Sequence, residues 1–137
     1  MAKPPVQVSL EWTGDLVFTS RTEHGEGPVF DSDGDAGTSP VQALALALGS
    51  CMAVDVVMIL KKGRHDLQGL RLAIVGHRAE GPPAYVTGYT ITYEVTGSAP
   101  DAAIQRAIEL SRDTYCSVWH SLRRDAELHV TYTRVDG

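Results

Sequence analysis

The two cysteines, Cys51 and Cys116, are the residues in this sequence best suited to carry chemistry. A thiolate is a nucleophile and a metal ligand, and two neighbouring thiols can form a reversible disulfide. The five histidines are scattered, and neither a Cys-x-x-Cys nor a His-Glu-x-x-His pattern occurs, so we expect no metal site. There is also no Gly-x-Gly-x-x-Gly or P-loop pattern, so we expect no nucleotide site.

Cys51 lies in the middle of a long apolar run, with Asp55 one helical turn later on the same face. Burial and a nearby carboxylate both raise the pKa of a thiol, whereas a nucleophilic cysteine needs thiolate character. If Cys51 reacts, a cation must therefore come from elsewhere in the fold. On local sequence alone, a free cysteine that packs as a small apolar residue is the simpler interpretation. Asp55 likewise has a structural alternative, as a buried carboxylate bonded to a helix start or an arginine.

Cys116 lies where one helical pattern ends and another, over residues 117–122, begins. The amide groups at a helix N-terminus lower the pKa of a thiol placed there. Local electrostatics therefore favour Cys116 as the nucleophile. His120, one turn later, could form a Cys-His pair with it, although a single histidine at this spacing is more often a packing residue.

The residues around Cys51 predict a helix from about Pro40 to Lys62. Ser39 and Gln42 form a capping-box pattern at its start, and Gly63 is suited to the left-handed conformation at its end. Because nearly every side chain between these ends is apolar, we expect the helix to be buried on all sides.

The rest of the sequence predicts an α+β fold in one domain over residues 1–137. The alternation of apolar residues, the turn residues and the helical spacings predict the following elements: a hairpin over 6–18, a short strand over 28–30 with a surface loop to residue 38, two antiparallel strands over 67–77 and 85–96, a helix after Pro100, a short helix over 116–122 and a strand over 128–132.

Bulk properties limit the partners and the compartment. The net charge of −5 gives no basic surface for phosphate backbones, so we expect no nucleic-acid partner. The central apolar run is long enough for a membrane span, but it contains Asp55 and is flanked by predicted β structure, so we expect no membrane partner. No targeting pattern is visible at the N-terminus, so we expect a cytoplasmic protein. In that reducing compartment, paired cysteines are more often transient and redox-active than structural.

Two stretches of the sequence resemble the OsmC/Ohr superfamily, and within it the OsmC-like YhfA branch. The first surrounds Cys51, which follows the helix-starting Pro40 by eleven residues, and it runs through the sequence ALGSCMAVDVVMILKKGR over residues 47–64. The second is the sequence YCSV around Cys116, and the similarity extends over almost the whole chain. The resemblance implies an OsmC-like α+β fold, with antiparallel sheets around a long buried central helix, in an intertwined homodimer.

The resemblance also implies an activity and roles for both cysteines. As the peroxidatic cysteine of a thiol peroxidase, Cys51 would attack an organic hydroperoxide or hydrogen peroxide and become a sulfenic acid. Cys116 would then form a disulfide with Cys51, and a dithiol reductant, lipoyl or a small thiol, would reopen it. No cofactor is needed. These roles replace the local argument for Cys116 as the nucleophile, because the fold can bring an arginine to Cys51.

In the family, that arginine comes from the N-terminal hairpin and is oriented by a glutamate directly after the helix-starting proline. Val41 occupies the glutamate's position here, followed by the neutral Gln42. Arg21 is our candidate for the cation, with a solvated surface arginine as the alternative. Asp55 is a candidate to orient an arginine in place of the glutamate.

Two other functions are compatible with the same fold. A redox sensor or thiol–disulfide partner protein would form the disulfide without rapid turnover of peroxide. A non-catalytic binding module would hold an apolar ligand in an interface pocket lined by Trp119, Met58 and tyrosines.

Overall fold

The computed structural model of the chain describes residues 2–135. It has the α+β composition that the sequence predicts. The chain divides into two compact units, Met1–Leu44 and Ala45–Gly137, which we describe in turn. The single domain over residues 1–137 stays a prediction.

The first unit is built around a four-stranded antiparallel sheet. Strands β1 (Val8–Gly14) and β2 (Val17–Thr22) form the predicted hairpin, and the short strands β3 (Gly25–Glu26) and β4 (Phe30–Asp31) both pair with β2. Asp15 turns the hairpin with a φ of 47°, a left-handed conformation that aspartate tolerates better than most residues.

The acidic segment after β4 is a surface loop, as predicted, and Asp31 organises it. The buried Asp31 carboxylate accepts hydrogen bonds of 2.9 Å from the backbone N–H groups of Asp33 and Ala36. These bonds favour the charged form and hold the pKa of Asp31 below its usual value. The loop delivers the chain to the start of the long helix.

Helix α1 spans Pro40–Lys62, as the sequence predicts, and begins in the predicted capping box. The Gln42 N–H donates to the Ser39 hydroxyl at 3.2 Å, and the Ser39 N–H donates to the Gln42 side-chain oxygen at 3.0 Å. Two backbone donors that have no partner within the helix are therefore satisfied at its first turn.

The end of α1 corrects the prediction for Gly63. The residue in the left-handed conformation is Arg64, with a φ of 60°. Its N–H bonds to the Lys61 carbonyl, and the N–H of His65 bonds to the Leu60 carbonyl, which together form a Schellman motif with Arg64 as the first residue past the cap. Gly63 serves a different purpose, since a Cβ there would lie 2.8 Å from the ring of His65.

Helix α1 is buried along one face within the single chain. That face packs into the core through Leu48, Gly49, Met52, Val56 and Leu60. Apolar side chains elsewhere on the helix, including Leu46, Val54 and Met58, are exposed. Burial on all sides is therefore not achieved by one chain. The helix also has the length and hydropathy of a membrane span, a property that core helices of soluble proteins share.

The second unit contains a three-stranded sheet in the order β5 (Gly69–Arg78), β6 (Val86–Thr96) and β7 (Glu127–Val135). Strands β5 and β6 are antiparallel, as predicted, whereas β7 runs parallel to β6. The sheet is mixed because the chain between β6 and β7 crosses back over the sheet before it re-enters. Alternate residues of β6 face the core, namely Tyr89, Ile91, Tyr93 and Val95.

The crossover contains helix α2 (Asp101–Leu110), whose buried face includes Ile104, Ala107 and Ile108. The helix runs directly into one π-helical turn, Ser111–Tyr115. After Cys116, the short helix predicted over residues 117–122 is reduced to a single 3₁₀ turn, Trp119–Ser121.

Candidate functional site

Cys51 lies midway along α1, and its side chain is partly buried against the core. It neighbours Met52 on the buried face, so its own position is at the border of that face. Position 51 therefore combines support from the core with partial access from outside.

Cys116 is fully buried and follows the π-helical turn. Its N–H donates to the Ser111 carbonyl at 2.8 Å, and its own backbone is extended, with a ψ of 101°. A π turn inserts an extra residue into a helix and changes the direction of the side chains that follow it. Here it ends the helix at the point where the Cys116 thiol enters the core.

The two thiols are neighbours, and both are free. Interaction with the Cys51 side chain is one cause of a raised pKa at Cys116. The fold of one chain therefore brings together two cysteines that are far apart in the sequence and lie on different elements.

The pKa of the Cys116 thiol is raised to about 11, and burial is the largest cause. The Trp119 N–H donates to the Cys116 sulfur at 3.4 Å and opposes this increase, as does the N–H of Val118. The predicted helix-start amides are thus present. The prediction of Cys116 as the more acidic thiol is nevertheless wrong, because desolvation outweighs the two amides.

Asp55 lies one turn after Cys51 and accepts a hydrogen bond of 2.8 Å from the Ser111 hydroxyl. Ser111 is itself fully buried, and its hydroxyl also lies 3.5 Å from the Met52 carbonyl oxygen. Among the described residues, no salt bridge involves Asp55. Its partner is a serine rather than the arginine considered from the sequence.

Tyr93 completes the cluster from strand β6. Its hydroxyl is buried and has no hydrogen-bond partner in residues 2–135. Burial raises the pKa of Tyr93, and the negative charges of Cys116 and Asp55 raise it further. The Tyr93 hydroxyl is therefore within electrostatic range of both groups.

Sequence reasoning did not identify Ser111 or Tyr93 as site residues. Each entered only as a member of an apolar periodic pattern, Ser111 in α2 and Tyr93 in β6. The available signal was a polar atom at a position that the pattern assigns to the core, because such an atom needs a partner there.

The remaining predicted residues lie outside this cluster or have other contacts. Gln42 is engaged in the helix cap. Arg21 lies exposed on β2 in the first unit, opposite Ser9 on β1, and its role as the activating cation stays a prediction.

His120 is exposed in the 3₁₀ turn, where its charge lowers the pKa of Asp113. In the described part of the chain, the Cys116 sulfur bonds the Trp119 N–H and not the His120 ring. The same residues include no cluster of three side chains suited to a metal ion.

Comparison with known proteins identifies the family. The family model described as "OsmC: OsmC-like protein" matches residues 32–131. Protein YhfA of Escherichia coli K12 is 33% identical over 130 residues, which cover 93% of this chain and 96% of that protein.

Solved structures agree with this assignment. A hypothetical protein from Aquifex aeolicus VF5 has a TM-score of 0.89 and 28% identity, over 98% of this chain and 99% of its own. An organic hydroperoxide resistance protein OsmC from Legionella pneumophila shares the fold, with a TM-score of 0.70 and 13% identity over 97% and 99% of the two chains. The chain therefore belongs to the OsmC-like protein family.

Proposed function

We propose that this protein is a thiol peroxidase that reduces organic hydroperoxides or hydrogen peroxide through a Cys51 sulfenic acid and a Cys51–Cys116 disulfide. One observation carries the proposal: a partly accessible thiol and a fully buried thiol lie side by side in the same chain. This is the arrangement that a two-cysteine peroxidase requires.

The two environments support different roles for the cysteines. Cys116 is buried, and with a pKa of about 11 it is almost entirely protonated near neutral pH. A protonated, inaccessible thiol is a poor first nucleophile, so the attack on peroxide is assigned to Cys51. Cys116 is then suited to wait until a neighbouring sulfur has become electrophilic.

The reaction balances without a cofactor. The Cys51 thiolate attacks one oxygen of the O–O bond, an alcohol or water leaves, and the cysteine becomes a sulfenic acid. Cys116 attacks the Cys51 sulfur, and the sulfenic oxygen leaves as water. A dithiol reductant, lipoyl or a small thiol, supplies two electrons and restores both thiols.

The family supports this class of activity. The Legionella relative that shares the fold is named for organic hydroperoxide resistance. Arg21 remains our candidate for the cation that stabilises the Cys51 thiolate, and we place the reaction in the cytoplasm.

The proposed working form is a homodimer. The exposed apolar side chains Leu46, Val54 and Met58 lie on the same helix as Cys51. Contiguous apolar surface of this kind is costly in water and is typical of an interface. A second copy of the chain, packed against this helix, would cover it.

The experiment is stoichiometric oxidation of the fully reduced protein by cumene hydroperoxide and by hydrogen peroxide, with free thiols followed over time. We expect rapid loss of both thiols in the parent protein, no rapid loss in Cys51→Ser, and a sulfenic acid that can be trapped in Cys116→Ser. Cys116→Ser serves as the matched control, since it removes one thiol without removing the proposed nucleophile.

A rate no faster than that of free cysteine would overturn the peroxidase proposal. Disulfide formation without peroxide consumption would then indicate a redox sensor or thiol–disulfide partner. Binding of an apolar ligand that is unchanged in Cys51→Ser would indicate a binding module.

A further inference from the structure

Four residues form a connected group around the two thiols. Asp55 follows Cys51 by one turn on α1, and Ser111 donates its hydroxyl proton to Asp55 at 2.8 Å. The carbonyl of Ser111 accepts the N–H of Cys116 at 2.8 Å. Ser111 therefore bonds both to the carboxylate and to the backbone of the buried cysteine.

Tyr93 provides an independent indication that the carboxylate and Cys116 share one environment. Its buried hydroxyl senses the charges of both Asp55 and Cys116. Because interactions between charges weaken with distance, a group that senses both lies near both. The polar atoms of these residues thus occupy one pocket of the core.

The resolving step of the proposed reaction has a difficulty that this group can remove. With a pKa of about 11, only on the order of one Cys116 thiol in ten thousand is ionised near neutral pH. The thiolate is the attacking form, so uncatalysed attack on oxidised Cys51 would be slow. A base near Cys116 that accepts the proton during the attack would remove this limit.

We propose that Asp55, held in place by Ser111, is the general base of the resolving step and accepts the Cys116 proton as the Cys116 sulfur attacks the oxidised Cys51 sulfur. This inference rests on the proposed function. The Cys116–proton bond and the Cys51 S–O bond break, and the S–S bond forms. The leaving hydroxide takes a proton from water, and the partly exposed Asp55 returns its proton to solvent.

The bond to Ser111 uses one oxygen of the Asp55 carboxylate. No hydrogen bond from residues 2–135 is made to the other oxygen, Oδ1, which leaves it available for a proton. Ser111 is accordingly a positioning residue, because it acts on the reaction only through Asp55.

A purely electrostatic role for Asp55 makes the opposite prediction. A carboxylate that only adds negative charge would disfavour the Cys116 thiolate, so its removal would speed the resolving step. Removal of a general base would slow it, typically by a factor of about 10² or more. The sign of the change therefore separates the two roles.

The test isolates the resolving step from the reaction with peroxide. Cys51 is converted to its methylthio mixed disulfide at low pH with one equivalent of methyl methanethiosulfonate, and mass spectrometry confirms the position. The pH is then raised, and the loss of the methylthio group by attack of Cys116 is followed in the parent protein, in Asp55→Asn and in Ser111→Ala. Glu109→Gln, at an exposed position on α2, is the matched loss of one negative charge.

We expect Asp55→Asn to be about 100-fold slower than the parent near neutral pH, with Ser111→Ala intermediate and Glu109→Gln unchanged. The deficit in Asp55→Asn should close as the pH approaches 11, where Cys116 ionises without a base. Recovery of the rate at high pH also shows that the variant is folded around its thiols.

An Asp55→Asn protein that resolves at the parent rate or faster near neutral pH would overturn the inference. Because this assay contains no peroxide, its outcome does not depend on the peroxidase proposal. A chain inert to peroxide but slowed by Asp55→Asn would lose the proposed function and keep the base.

Discussion

The Ser111 hydroxyl donates a hydrogen bond of 2.8 Å to the Asp55 carboxylate, across 56 positions of sequence. This bond ties the central helix to the turn that directly precedes Cys116. It satisfies a fully buried hydroxyl and a partly buried carboxylate at once. The two cysteine-bearing segments are therefore joined by a polar contact next to the thiols themselves.

The first prediction concerns the stability that this bond contributes. Ser111→Ala should lower the free energy of unfolding by about 1–3 kcal/mol, since hydrogen bonds to charged groups fall in this range. Urea denaturation of the reduced protein measures the change. Ser117→Ala, at an exposed serine one residue after Cys116, is the control and should stay within about 0.5 kcal/mol of the parent. Equal stabilities for the two variants would contradict the prediction.

The second prediction concerns the acidity of Cys116. Its alkylation by iodoacetamide in the reduced protein should rise with pH up to about 11, because only the thiolate reacts and the pKa is raised. Cys51→Ser should move the midpoint down, since Cys51 contributes to the increase. The midpoint should still exceed the ordinary value of 9.0, because burial is the larger cause.

Peptide mass spectrometry over a pH series measures this alkylation, with circular dichroism to confirm that the protein remains folded. A Cys116 midpoint at or below the ordinary value in the parent protein would show that the amides of Trp119 and Val118 prevail over burial.

The third prediction concerns the close approach of α1 to the sheet. A Cβ added at Gly49 would overlap the Cδ1 methyl of Ile74 on β5. Gly49→Ala should therefore destabilise the protein by about 1–3 kcal/mol through overpacking, despite the higher helix propensity of alanine. Ile74→Val removes that methyl group, so the double variant should recover part of the loss. Additive losses in a double-mutant cycle would refute the contact.

Local signals predicted the elements that carry the site. The capping box of Ser39 and Gln42 and the apolar run after it placed α1 correctly at Pro40–Lys62, because helix starts depend on residues a few positions apart. The end was less determined, and the left-handed residue is Arg64 rather than Gly63. The hydrogen bonds of a Schellman motif, not glycine alone, select that position.

The polar surroundings of the thiols were not predictable in the same way. The acidity of Cys116 depends on burial by distant parts of the chain, and local sequence shows only the amides that oppose it. The Ser111–Asp55 bond joins two helical patterns that look unrelated when read separately. Likewise, Tyr93 has the alternation of an ordinary core strand, so its position beside two acidic groups emerges only from the tertiary fold.

The fourth prediction concerns the exposed apolar face of α1. Val54 and Met58 are 55% and 64% exposed and lie one turn apart. If a second copy covers them, Val54→Glu places a charge in that interface and should shift the protein from dimer to monomer. Light scattering coupled to size exclusion measures the mass. Thr131→Glu, exposed on β7, is the control and should leave the mass unchanged. A dimer that persists in Val54→Glu would place the interface elsewhere.

The fifth prediction concerns the unpaired hydroxyls of Tyr89 and Tyr93. Removing a buried hydroxyl that has no partner sacrifices no hydrogen bond, so Tyr89→Phe and Tyr93→Phe should each leave the stability of the reduced protein unchanged or raise it by about 1 kcal/mol. The two variants are controls for each other, because both rings are fully buried on the same strand. Thermal denaturation of the reduced protein measures the difference.

Oxidation should separate the two tyrosines, because Tyr93 alone is near Cys116 and Asp55. If the resolving step passes a proton through this pocket, the Tyr93 hydroxyl is the nearest group able both to accept and to donate it. Tyr93→Phe should then slow the release of the methylthio group near neutral pH, whereas Tyr89→Phe should not. A loss of more than about 1 kcal/mol in reduced Tyr93→Phe would instead show that its hydroxyl is already bonded, which would exclude it as a free relay.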